Sequence, residues 1–190
     1  SFNHNIQCSH CGKKTNKSYS QGYCYPCSQK LARCDLCIMR PETCHYHLGT
    51  CREPQWGLDN CFSPHVVYLA NSSGVKVGIT RKGNIPNRWI DQGAISALPI
   101  LEVDARLKSG ELEMALKQYV NDKTNWRKML KNEVSPVDLL ATKNELLGHI
   151  RNTIDKTGAQ ILNNEVLAIN YPVVEYPTKI TSLNFDKTPV

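Results

Sequence analysis

All nine cysteines of this 190-residue chain fall between Cys8 and Cys61, and none lies beyond. Disulfides would be expected to staple a whole fold, so this crowding points to metal binding in a reducing compartment. Cys8/Cys11, Cys24/Cys27 and Cys34/Cys37 are Cys-x-x-Cys knuckles. Each offers Zn²⁺ two thiolates from one tight turn, and two such turns complete a tetrahedral cage of four sulfurs. Cys8, Cys11, Cys24 and Cys27 are the first expected site, with a short Ser/Lys/Gly-rich loop between the pairs, as in a zinc ribbon or treble clef.

Past that quartet the ligand choice stays open. Cys34, Cys37, Cys44 and His47 have the simplest spacing for a second ion, and Cys51 can replace Cys44 or His47. The leftover Cys51, Cys61 and His65 could join His45 at a third ion, or Cys61 could be a buried free thiol. A catalytic zinc keeps an open coordination position, and the surplus of cysteines argues for structural zinc instead.

At 41% hydrophobic and 21% charged residues, the chain is expected to form one ordinary core plus a small metal-held module. Its composition contains no apolar run approaching the ~20 residues of a membrane span and no signal-peptide core. A cytoplasmic protein with no membrane partner is expected. The chain starts at Ser1 and ends abruptly at Pro189-Val190. It therefore reads as a trimmed chain with a segment upstream and the start of another module downstream. The formal charge of +6 suits a polyanionic partner, DNA or RNA. Lys13, Lys14 and Lys17 lie among Tyr19, Tyr23 and Tyr25, a mixture that serves phosphate contact and base stacking or forms a solvated loop. The sequence sets no oligomeric state.

The predicted fold class is α+β. Residues 1–62 form the zinc module, 63–132 a small α/β domain, and 133–190 a long helix with a β extension. His65–Ala70 and Val75–Thr80 read as a hairpin across the turn Asn71-Ser72-Ser73-Gly74. A short helix is expected from Asn87 to Gly93, a third strand from Pro99 to Asp104, and a helix from Ser109, placed to cap, to Val120. Another helix should run from Ser135 to Lys156, stopped by Gly158. Val166–Ile169 and Val173–Phe185 have strand-like runs broken by prolines.

The order Val66-Val67-Tyr68, Lys76-Val77-Gly78-Ile79-Thr80, Arg88 and Glu113-x-x-Leu116 resembles the GIY-YIG nuclease superfamily, in its Lys-Ile-Gly-x-Thr branch, over roughly residues 65–130. That resemblance implies a small mixed sheet with helices and hydrolysis of phosphodiesters with one Mg²⁺ or Mn²⁺. Tyr68 would take a proton from water, Glu113 would hold the metal, and Arg88 would grip the phosphate. Lys76 occupies the slot usually held by a second tyrosine and would add charge, while Gly78 would let backbone approach nucleic acid closely. Gln92 stands where a histidine is common, and a glutamine does no acid–base work. Trp126 and Arg127 follow the glutamate helix and could clamp nucleic acid or seal the sheet's edge.

The stretches Gln21–Cys27, Gly49–Pro54 and Tyr68–Gly74 also resemble a bacterial family of zinc-bearing proteins known as a domain of unknown function. The expected function is that of a metal-dependent endonuclease-like phosphodiesterase whose zinc module assists substrate binding. The alternative is a catalytically inactive protein that binds nucleic acid or a ribonucleoprotein.

Overall fold

The computed structural model describes residues 5–121 and 123–182. The chain divides into two units, Ser1–Asn60 with Thr181–Val190, and Cys61–Ile180. The expected third segment, from residue 133, lies within the second unit as far as Ile180.

In the first unit, backbone bonds from Cys8 N–H to Lys13 O (2.9 Å) and from Thr15 N–H to Ile6 O (2.9 Å) fold residues 6–15 into a knuckle. A second turn joins Tyr19 to Tyr23 and leads into α1 (Tyr25–Lys30), with Cys24 at its N-cap. Ser9 ties the two together, since its N–H and Oγ both donate to the Gly22 carbonyl, at 2.8 and 2.9 Å. Then follow the short α2 (Leu36–Met39) and α3 (Pro54–Cys61).

The second unit is built on an antiparallel sheet. β1 (His65–Asn71) and β2 (Val75–Arg81) form the expected hairpin, turning through Gly74 at φ +135°. β3 (Ser96–Val103) lies on the other side of β1, and β4 (Gln160–Ile161) and β5 (Leu167–Ala168) pair with its far edge. The β1–β3 register slips between Val67 and Tyr68, so that Tyr68 faces Pro99 while Val67 faces Leu101. Ile100 is the extra residue of this bulge. A proline has no N–H for the ladder, which makes a bulge the natural place for it.

Side chains alternate across β1, so its two faces meet different partners. Val67 and Leu69 join Val77, Leu98, Leu112, Leu116, Leu146 and Ile154 in the main core. That face is covered by α5 (Arg106–Leu116), α7 (Leu139–His149) and α8 (Arg151–Thr157). Each fully buried leucine there contributes roughly 1.5–3 kcal/mol. Val66, Tyr68 and Ala70 face the other way, against Trp89 of α4 (Asn87–Asp91) and against Ala94 and Ala97. The remaining helix, α6, spans Trp126–Leu130.

Several boundaries differ from expectation. The glutamate helix begins at Arg106, so Ser109 is inside it and buried, its Oγ donating to the Arg106 carbonyl at 2.7 Å. It ends at Leu116 rather than Val120. The single helix expected from Ser135 is two, broken at Ile150 and begun only at Asp138, whose carboxylate caps the amides of Leu140 and Ala141 at 3.0 Å. Gly158 does end the second of them, in the left-handed conformation a glycine adopts without strain. β4 was not foreseen, β5 is shorter than its predicted run, and residues 173–182 form no strand. Residues 183–185 of the expected tail lie outside the described residues. Among the described residues, no helix is long and apolar enough to cross a membrane.

Candidate metal centre and candidate active site

The four donors of Cys8, Cys11, Cys24 and Cys27 lie within 4.8 Å of one another. A sulfur tetrahedron around an ion with bonds of about 2.3 Å has edges of about 3.8 Å. The Cys11–Cys24 Sγ distance is 3.8 Å. The sulfurs are thus already spaced for zinc, and the sequence positions explain it. Cys8 and Cys11 flank one knuckle, while Cys24 and Cys27 sit at the N-cap and first turn of α1. The backbone amides of Cys11, Cys24 and His10 turn toward Cys8 and lower its thiol to about 6, although burial opposes them. Cys27 is raised to about 12, first by the Cys24 thiol and then by burial. The cluster favours a first thiolate and resists the last, which is the imbalance that a dication at the centre relieves.

Cys34, Cys44, His47, Cys51 and Cys61 fall in no such group among the described residues. Their neighbour Cys37 instead shares a space with Asp35 and His45, three donors within 4.8 Å. Asp35 is committed elsewhere. It accepts from Arg52 Nε at 2.6 Å, lies 3.5 Å from His45 Nε2, and caps the Cys37 amide at 3.4 Å. Burial pushes its carboxyl up, but the Cys37 amide, Arg52 and His45 together hold it below the usual aspartate range. Arg52 also donates to the Ser28 carbonyl at 3.0 Å, and Glu53 accepts from the Ala32 amide at 2.6 Å. The sequence reading missed this clamp. Its signal was an aspartate immediately before α2, where a capping carboxylate belongs.

In the second unit, Tyr68 is fully buried and its hydroxyl donates to Gln92 Oε1 at 2.9 Å. Burial raises the Tyr68 pKa above the ordinary tyrosine value. The charge and side chain of Arg88 draw it down, Glu113 pushes it up, and Gln92 lowers it. Arg88 of α4, Gln92 just past its C-terminal end and Glu113 of α5 are therefore within electrostatic reach of the Tyr68 hydroxyl. Trp89 packs edge-on against the same ring, 5.8 Å between centroids. Glu113 is also 3.5 Å from Lys117, one helical turn on, with its side chain 14% exposed.

Lys76 and Gly78 each meet another part of the second unit. Lys76 is buried, and its ammonium donates to Thr124 Oγ1 at 2.7 Å. With the Val77 amide bonded to the Asn121 carbonyl at 2.9 Å, it ties β2 to the segment after α5. The space over Gly78 is filled by Tyr68, because β1 and β2 set these two residues opposite each other. Trp126 is 39% exposed and carries Arg127 over its ring at 4.3 Å, so both stand on the surface at α6. Lys13, Lys14 and Lys17 line a shallow groove with Tyr19 and Tyr25, Lys17 lying 5.5 Å from the Tyr19 ring centroid.

The fold is thus an α+β protein with an antiparallel sheet and an N-terminal four-cysteine module suited to zinc. The chain belongs to the family described as protein of unknown function DUF2797, whose pattern covers residues 1–190. No curated protein and no solved structure matches it.

Proposed function

We propose that this protein is a metal-dependent, endonuclease-like phosphodiesterase acting on nucleic acid, of the GIY-YIG type. The observation that carries the reading is the Tyr68–Arg88–Gln92–Glu113 constellation, drawn from three elements to one hydroxyl. Arg88 is permanently charged and presents a planar fork to a phosphate. Gln92 fixes the Tyr68 hydroxyl by accepting its proton-side bond, so the ring is held ready in one orientation. Burial excludes water from the phenol and keeps it neutral until the surrounding charge changes.

Glu113 is a carboxylate whose charge acts on this hydroxyl, and it is the residue to hold Mg²⁺ or Mn²⁺. Such an ion supplies positive charge that stabilises a phosphate and a phenolate alike. Zinc at the four-cysteine cluster has the separate task of holding the first unit folded. A second zinc on Cys34, Cys37, Cys44 and His47 belongs to the same reading, and requires these side chains to swing together.

The test is cleavage of single- and double-stranded DNA and RNA by the full chain in Mg²⁺ or Mn²⁺. Wild type should cut, and Glu113→Gln should lose activity by roughly 10²-fold or more, as loss of a transition-state charge stabiliser does. Undiminished cutting by Glu113→Gln would remove the metal role, and absence of cutting by wild type would remove the hydrolytic reading. In that event the groove of Lys13, Lys14 and Lys17 beside Tyr19 and Tyr25 supports a second one, a non-catalytic binder whose zinc module contacts the nucleic acid.

A further inference from the structure

Between β4 and β5 the chain leaves the edge of β3. The Leu162 amide still reaches the Ile100 carbonyl at 3.0 Å, and the chain then arches away before Leu167 pairs with Ala97. The arch walls a cleft of about 670 Å³ on the sheet face that also carries Tyr68. Val66, Pro99 and Trp89 line it with apolar surface, Asn163 and Asn164 stand exposed at its rim, and a Lys82–Glu102 ion pair of 2.9 Å bounds it.

Trp89 is 2% exposed, and its indole Nε1 has no hydrogen-bond partner among the described residues. An indole nitrogen can only donate, and native proteins nearly always supply a buried donor with an acceptor. Trp89 lines the cleft while its indole nitrogen is covered and lacks an acceptor among the described residues, so an occupant that supplies one has to reach that nitrogen. The occupant that suits these walls is a flat ring with apolar faces and acceptors along its edge. The Trp89 ring also packs edge-on against Tyr68, the centre of the proposed phosphate chemistry, at 5.8 Å between centroids.

We propose that this cleft is a nucleobase pocket. The base lies on the Val66 and Pro99 floor, accepts a hydrogen bond from Trp89 Nε1, and meets the Asn163 and Asn164 amides at its edge. The pocket rests on the nucleic-acid reading above and gives it a specificity element. A base splayed out of the strand and held against an aromatic wall is a general mode of single-strand recognition.

The experiment uses the full chain labelled with ¹⁵N. The protein has three tryptophans, so the Trp89 indole signal is assigned by elimination with Trp56→Phe and Trp126→Phe. Titration with the four nucleoside 5′-monophosphates should move that signal downfield, saturably, for at least one of them. Ribose 5-phosphate should leave it in place, and Asn163→Ala combined with Asn164→Ala should weaken the binding about tenfold, as loss of two hydrogen bonds does. A signal unmoved by every nucleotide at millimolar concentration means a buried water only, and overturns the pocket. So does an equal shift with ribose 5-phosphate, or binding indifferent to the double substitution. The two proposals also fail separately. A saturable shift in a chain that cuts nothing keeps the pocket and removes hydrolysis. Equal cutting of intact strands and strands abasic at the scissile step keeps hydrolysis and removes the pocket.

Discussion

The Tyr68 phenol stands directly over Gly78 of the neighbouring strand, where an added Cβ would come within 2.6 Å of its oxygen and 2.7 Å of its Cζ. These are not the far ends of a flexible side chain, since the ring is fully buried and bonded to Gln92. Gly78→Ala should therefore force the ring away from Gln92 and cost roughly 1–3 kcal/mol, the usual penalty of overpacking. Urea denaturation measures it. A midpoint equal to wild type would show that the ring has room to yield.

Removal of metal should act on one unit alone. A strong chelator, or Cys27→Ser, should unfold the region around Cys8–Lys30 and leave the Cys61–Ile180 sheet intact, because that unit has its own core. Backbone amide spectra with and without chelator would display it, and emission spectroscopy should count at least one zinc per chain. Collapse of both sets of signals together would contradict independent folding of the sheet unit.

Arg52 binds the Asp35 carboxylate and the Ser28 carbonyl at once. Arg52→Ala leaves a carboxylate whose side chain is only 11% exposed without its guanidinium partner. Arg52 itself is partly solvated, so the cost is set below that of a fully buried pair, at roughly 1–3 kcal/mol. Thermal unfolding of the zinc-loaded protein would give the number.

His65 lies wholly buried at the start of β1, with its Nδ1 on the Ser63 carbonyl at 2.7 Å. Burial above all, then the charges of Arg106 and Arg81, hold its pKa below the usual histidine value, although the Ser63 bond pulls the other way. The folded chain keeps this ring neutral while the unfolded chain protonates it below about 6.5. Its contribution is thus complete above that pH and is lost as pH falls through the lowered folded value. His65→Asn, which retains a donor near Nδ1 but does not titrate, should flatten the stability profile between about pH 7 and pH 5. Parallel profiles would exclude His65 as the source.

Charge reversal of Lys13, Lys14 and Lys17 discriminates the two functional readings. If the zinc module contacts nucleic acid, the triple variant should bind more weakly at low salt and show a shallower dependence of affinity on salt. If the sheet unit binds alone, both should match wild type.

What the chain reveals before folding is uneven for physical reasons. The hairpin of β1 and β2 was legible because its strands are β-branched and its turn is polar with a glycine. The first zinc quartet was legible because knuckle spacing fixes its geometry. The order of Tyr68, Arg88 and Glu113 along the sequence names them as a set, and the fold brings Arg88 and Glu113 within electrostatic reach of the Tyr68 hydroxyl. The bond of the Lys76 ammonium to Thr124, 48 residues on, is announced by nothing local in the sequence. Ser109 has the look of a cap for the helix of Glu113, yet its hydroxyl bonds back to Arg106 inside a helix that begins one turn earlier. The break at Ile150 escaped because the apolar stripe runs on through both helices. The second metal quartet was inferred from spacing alone, and spacing does not say that Asp35 would draw Arg52 and His45 into the same space.

Lys143 of α7 is 5% exposed and donates its ammonium to the Leu162 carbonyl, at the foot of the arch between β4 and β5. The backbone past Ile161 is consequently the counterpart of an interior positive charge, and is not a dispensable appendage. Any shortened version of this polypeptide that stops before Leu162 takes away the carbonyl that accepts from Lys143. Replacing Lys143 by methionine should therefore cost such a truncation less stability than it costs the full chain.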